Sequence, residues 1–169
     1  MKIPVAKPYL GKEEAQSAYD TILTNWVTQG PRVQELEEKF ALYTGAKYAV
    51  ALSNCTTALH LSMIVAGIKE GDEVICPSMS YIATANSIMY VGAKPVFAEV
   101  ESATFNIDVK HAEKLITPKT KAILIVHQVG LPADIDAFKN LCDKHNLKLI
   151  EDAACAAGSG YKGKKIGSH

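Results

Sequence analysis

Three short stretches of this 169-residue sequence place polar side chains where chemistry can be done. The first, Ser53-Asn54-Cys55-Thr56-Thr57, ends a short apolar run and passes at once into ALHLSMIVAG, a helix-forming stretch. Small hydroxyl side chains and unpaired backbone N–H groups at a helix N-terminus suit a phosphate, because the donors and the helix dipole both favour an anion. An ordinary helix cap uses the same residue types, so this stretch alone leaves both readings open. No Gly-Lys-Ser/Thr follows it, which excludes a P-loop here. The second stretch, Cys76-Pro77-Ser78-Met79-Ser80-Tyr81-Ile82-Ala83-Thr84-Ala85-Asn86, carries the Tyr81 ring near a helix start, where it can lie on a flat heteroaromatic ligand or serve as an ordinary core or surface aromatic. The third is Asp152, followed by the small residues Ala153, Ala154, Cys155, Ala156, Ala157 and Gly158, which let backbone approach a ligand closely. An acidic residue there keeps a pyridine nitrogen protonated and makes the ring an electron sink, the chemistry of pyridoxal phosphate (PLP); a helix cap or solvated turn is the plainer alternative. His127, beside Gln128, is placed to frame the same crevice, whereas His60, His111 and His145 read as packing or surface residues.

These residues share one position in the chain's pattern. After Gly45 the sequence alternates short β-branched runs, YAVALS (48–53), EVICP (73–77), PVFAEV (95–100), AILIVHQ (122–128) and LKLIED (147–152), with helical stretches at about 56–67, 80–91, 109–116 and 134–145. Asp134 is the expected N-cap of the last helix. A βαβαβαβαβ order requires a mostly parallel sheet covered by helices on both faces, with ligands bound outside the carboxyl ends of the strands. The polar stretches all follow strand ends, so a phosphate anchor, a stacking ring and a pyridinium partner converge on one cofactor. Upstream, Ala15, Ala18, Tyr19, Ile22 and Leu23 form one helical stripe, and Pro31 opens a second helix whose buried face is Val33, Leu36 and Phe40; WVTQG is the loop between them.

Composition narrows the classes. Eighteen basic and eighteen acidic residues leave no global field for nucleic acid or an anionic membrane. No run approaches the ~18 apolar residues of a membrane span and the start lacks a signal peptide, so a cytoplasmic protein is expected. Cys55, Cys76, Cys142 and Cys155 lack metal-site spacing and are expected to be free, mostly structural thiols, and no metal is expected.

The motifs WVTQGP, SNCTTALHL, GDEVICPSMSYIATANSIMYVGAKPVF, FNID, TPKTKAILIVHQVGLPADID and LIEDAACAAGSGYKGKKIGS, in this order, resemble the DegT/DnrJ/EryC1/StrS family of PLP-dependent aminotransferases. The resemblance implies the N-terminal part of a fold-type-I large domain over residues 46–169, preceded by a helical segment over residues 1–45. It puts Ser53, Thr56 and Thr57 at the cofactor's phosphate, Tyr81 on its ring and Asp152 on its pyridine nitrogen. Cys55 stands where many members have glycine, and Cys155 where they commonly have glutamine near the cofactor's phenolic oxygen, a position at which a thiol is a weak hydrogen-bonding group. Trp26 and Thr28 match a loop close to the substrate.

What the resemblance implies for function is amino transfer onto a nucleotide-linked keto sugar, with glutamate as donor, in a homodimer serving amino-sugar and polysaccharide biosynthesis. Relatives carry the lysine that binds the cofactor covalently after a segment like Gly167-Ser168, so no catalytic lysine is assigned here and the 169-residue chain is expected to be inactive alone. A pyridoxamine-phosphate-dependent sugar dehydratase of the same family, with histidine at that position, and a non-catalytic remnant or assembly module are the alternatives.

Overall fold

A computed structural model describes residues 7–169. Four parallel strands form its centre: β1 (Glu73–Pro77), β2 (Lys94–Ala98), β3 (Thr120–Val126) and β4 (Lys148–Asp152), in the spatial order β2-β1-β3-β4. Their register is set by pairs such as Ile75 with Val96, Ile75 with Ile123, and Ile125 with Glu151. The β3 sequence TKAILIV is buried from Ala122 onward, as a central parallel strand with both faces covered requires. Its side chains divide by parity. Ile123 and Ile125 join Phe138 and Leu141 of one core, while Ala122 and Leu124 join Leu59, Met63 and Ile88 of the other.

Helices α3 (Cys55–Val65) and α4 (Ile82–Met89) supply the second of these layers. Helices α5 (Val109–Lys114) and α6 (Ile135–His145) supply the first. Asp134 caps α6 as expected, its Oδ1 accepting from the Ala137 N–H at 3.2 Å. From β1 the chain steps outward to β2, then returns past β1 to β3. The loops that follow β1 and β3 therefore diverge, which opens a crevice at the carboxyl ends of the strands.

Three sequence expectations need correction. Residues 48–53 form no strand; Tyr48, Val50 and Leu52 are exposed, and the Ala51 N–H is taken by Glu37 Oε1 at 2.8 Å. A strand needs a hydrogen-bonded neighbour for its N–H and C=O groups, and among the described residues no strand pairs with this run, although Val50 and Leu52 line a cleft with Lys148–Glu151 of β4. The apolar stripes of α1 (Lys12–Leu23) and α2 (Pro31–Thr44) do not enter a core: α1 buries nothing and α2 only Thr44, leaving Tyr19, Ile22, Leu23, Leu36 and Phe40 exposed. Amphipathic spacing predicts the helix correctly, but burial also needs an opposing surface. Finally, β3 stops at Val126, so His127 and Gln128 fall beyond it, and Gln128–Gly130 form a single 3-10 turn.

The closing run Gly158-Ser159-Gly160-Tyr161-Lys162-Gly163 has the spacing of a dinucleotide-binding motif. It folds instead into a two-stranded hairpin, β5 (Gly160–Tyr161) and β6 (Lys164–Lys165), and so offers no helix N-terminus to a pyrophosphate. Lys162 at φ 48° and Gly163 at φ 84° give the turn its left-handed pair.

Candidate active site at the strand ends

Asp152, the last residue of β4, is the centre of the crevice. It is 7% exposed and belongs to the face covered by α3 and α4. Its Oδ1 accepts the Ala154 N–H at 3.1 Å and lies 3.8 Å from the Cys55 Sγ at the start of α3. Its Oδ2 accepts the Thr84 hydroxyl of α4 at 3.3 Å. A buried carboxylate is thus held by donors from two helices and its own loop, which satisfies the requirement that buried charge be hydrogen-bonded.

The start of α3 is built by Asn54. Its Oδ1 accepts from the Thr57 N–H at 2.9 Å and from the Thr57 hydroxyl at 3.1 Å, and the Ser53 and Thr57 hydroxyls lie 3.3 Å apart. With Ala58 N–H bonded to Asn54 O, the Cys55 and Thr56 amides remain without a protein partner among the described residues. Two unpaired donors at the positive end of an 11-residue helix form an anion-receptive pole beside Asp152. Tyr81 is the N-cap of α4 and is 77% exposed as a residue, so it is available to a ligand.

The rim is tied across the crevice. Gln128 Nε2 donates to Met79 O, joining the loop after β3 to the loop that carries Tyr81. Gly130, at φ 86°, allows Cys155 O to approach within 3.1 Å of where a side chain's Cβ would stand. Ser159 Oγ donates to Gly130 O at 2.7 Å. Cys155 itself is exposed on the loop after Asp152.

Other sequence candidates lie elsewhere. His127 is fully buried on the opposite face of the sheet; its Nδ1 accepts from Ala133 N–H at 3.1 Å and its Nε2 pairs with Glu151 Oε2 at 2.9 Å. The backbone donor requires a lone pair on Nδ1, which puts the proton on Nε2, aimed at the carboxylate. Both ring nitrogens are engaged, so in this structure His127 has no polar atom to offer a substrate. Trp26 folds onto its own loop, where Nε1–H donates to Gln29 O at 3.0 Å and the ring fills the place of a side chain at Gly30. Thr28 lines a cleft with Thr21, Pro31 and Val33 between α1 and α2. Neither residue makes a recorded hydrogen bond to the strand-end group. Lys162 pairs with Asp136, and Lys165 lies 4.0 Å above the Tyr43 ring, both away from Asp152.

Ser80 and Thr84 lie in the second polar stretch, but sequence reasoning assigns a role there only to Tyr81. The available signal was their i, i+4 spacing across the start of a helix that follows a strand, which brings two hydroxyls onto one face.

The thiols divide into two pairs. Cys76 and Cys142 are buried, and loss of solvent pushes them up to about 12 and about 11. Cys55 and Cys155 are exposed, though Cys55 is also raised, first by partial burial and then by the Asp152 charge. Alkylation with iodoacetamide near neutral pH is expected to modify Cys155 and, more slowly than an ordinary thiol, Cys55. Cys76 and Cys142 are expected to react only after guanidinium is added, a pattern read by peptide mass mapping.

Residues 8–169 match the model of the DegT/DnrJ/EryC1/StrS aminotransferase family. This chain belongs to that family. An aminotransferase from Psychrobacter cryohalolentis is 39% identical, with a TM-score of 0.93, over 97% of this chain and 42% of that one. DesV of S. venezuelae is 38% identical, TM-score 0.87, over 93% of this chain and 44% of that one. Helicobacter pylori PseC, an aminotransferase involved in the biosynthesis of pseudoaminic acid, is 32% identical, TM-score 0.92, over 99% of this chain and 45% of that one. The chain thus spans less than half the length of these DegT/DnrJ/EryC1/StrS-like structures. Its parallel sheet and flanking helices correspond to part of the fold-type-I architecture that the family resemblance implies.

Proposed function

We propose that the whole protein is a PLP-dependent aminotransferase acting on a nucleotide-linked keto sugar, with glutamate as amino donor, in amino-sugar or polysaccharide biosynthesis. The observation that carries this reading is Asp152, held between the N-termini of α3 and α4 at the carboxyl end of the sheet. In support, a sugar aminotransferase from Streptococcus pneumoniae that is 34% identical to this chain is known in both PLP and PMP forms.

The residues present fit that cofactor. The unpaired Cys55 and Thr56 amides, with the Ser53 and Thr57 hydroxyls, offer donors to a phosphate; the exposed Tyr81 ring offers a stacking surface; Asp152 offers an acceptor to a protonated ring nitrogen. Cys155 lies on the loop that borders the remaining edge. When bound, the cofactor supplies an electron sink for the carbon that exchanges its amino group. The chain's own part is to bind, to orient and to exclude solvent: the α3 pole fixes one end of the ligand, the carboxylate fixes the other, and the ring sets its plane. The Gln128–Met79 and Ser159–Gly130 bonds keep the rim loops in place around them.

In this reading residues 1–45 form an N-terminal helical segment bearing the substrate-side Trp26 and Thr28, residues 46–169 form part of the cofactor domain, and the working protein is a cytoplasmic homodimer. Among the described residues no helix is long and apolar enough to cross a membrane. The 169-residue polypeptide alone is proposed to bind PLP noncovalently without turnover. The test is to supply full-length protein with nucleotide-linked keto sugars and glutamate, following 2-oxoglutarate and the aminated sugar. Both products are expected together; a deoxygenated sugar would point to the dehydratase chemistry, and neither product would count against both.

A further inference from the structure

We infer that Thr84, backed by Ser80, is a positioning residue that aims the Asp152 carboxylate at the ring nitrogen of the cofactor; this rests on the cofactor reading above. Threonine inside a helix ordinarily turns its hydroxyl back to the carbonyl four residues earlier. Thr21 and Thr44 do so here, donating to Ser17 O and Phe40 O at 2.8 and 2.9 Å. Thr84 does not. Its hydroxyl, in a residue only 1% exposed, reaches Asp152 Oδ2 at 3.3 Å on a strand 68 residues further along the chain.

The direction of this relay follows from proton supply. A carboxylate only accepts, so the single Thr84 proton goes to Asp152. With that proton committed, the Ser80 hydroxyl, 2.6 Å from Thr84 Oγ1, must be the donor, and a lone pair of Thr84 Oγ1 accepts. Ser80 thereby fixes the Thr84 rotor, and Thr84 fixes Oδ2. Oδ1 is fixed separately by Ala154 N–H at 3.1 Å and approached by Cys55 Sγ at 3.8 Å. Holding both oxygens determines the plane of the carboxylate, and that plane decides whether a lone pair faces an in-line N–H.

The same helical turn also carries the ring. Thr84 N–H donates to Tyr81 O at 3.0 Å, so Tyr81 and Thr84 are the first and fourth residues of one rigid turn. The stacking face and the carboxylate clamp therefore keep a constant relation to each other.

The experiment uses the 169-residue polypeptide and two probes: PLP, and its analogue with C–H in place of the ring nitrogen. Affinities are measured by equilibrium dialysis. Thr84→Val keeps the shape and removes the hydroxyl; it is expected to weaken PLP about fivefold, the scale of one ordinary hydrogen bond and less than the loss of Asp152 itself, and to leave the carbon analogue unchanged. Thr84→Ser should restore PLP affinity to within about twofold. In an Asp152→Ala background Thr84→Val should have no further effect. If Thr84→Val fails to give the wild-type circular dichroism, Ser80→Ala carries the test, with a smaller loss again confined to PLP. Equal weakening of both probes, or no change with either variant while Asp152→Ala weakens PLP, would overturn the positioning role. If Asp152→Ala itself leaves PLP affinity unchanged, the cofactor reading fails as well.

Discussion

Asp152→Ala is expected to weaken PLP binding by the 169-residue polypeptide at least about tenfold, since a charge-assisted hydrogen bond contributes about 1.5–3 kcal/mol and each 1.4 kcal/mol is a factor of ten. Two effects add. The ring nitrogen loses its ionic acceptor, and the donors that now converge on Asp152, namely Thr84 Oγ1 and Ala154 N–H, lose theirs and no longer hold one arrangement. Tyr81→Ala should act more weakly, because an exposed ring contributes contact area and stacking but no charge. Equilibrium dialysis with both variants, at matched folded fraction by circular dichroism, reads the order directly. Equal affinity of Asp152→Ala and wild type would remove the principal support for the proposed function.

His127→Ala is expected to lower stability by about 3 kcal/mol and the thermal midpoint by roughly 6–12 °C for a domain of this size, while PLP affinity of the folded protein stays within about twofold of wild type. The side chain is fully buried, so its removal leaves a cavity, strands the Ala133 N–H in the interior and takes the partner from Glu151. All of these contacts lie on the sheet face opposite Asp152. A scanning calorimetry trace with an unshifted midpoint, or a selective loss of cofactor affinity, would return His127 to the binding site.

The chain's sequence disclosed the parallel α/β frame because β-branched runs alternate with helices and because the order of strand ends is also the order of the polar stretches. Asp152, Tyr81 and the α3 start were legible for that reason: each follows an apolar run directly, and chain topology alone brings such positions together. What sequence could not supply was facing. His127 and Asp152 both sit just past or at strand ends, yet strand parity sends one to the α5/α6 side and the other to the α3/α4 side; extending β3 by two residues hid that difference. Thr84 was hidden for a related reason. Its partner is 68 positions away, and a threonine in a helix looks the same whether it bonds its own backbone or another strand. Residues 48–53 show the remaining gap, since strand propensity measures how well a run fits a sheet and not whether a neighbour is present.

The near absence of burial in α1 and α2 separates the molecule by how long its amides stay protected. Backbone N–H groups in the central strands β1 and β3 exchange with solvent deuterium only through events that dismantle the sheet, whereas those of α1 and α2 are sheltered by little beyond their own helical bonds and open at a small fraction of that free energy. The two helices therefore make an internal clock: slowing of their deuterium uptake, with the sheet unchanged, would time the arrival of whatever surface comes to cover Ile22, Leu36 and Phe40.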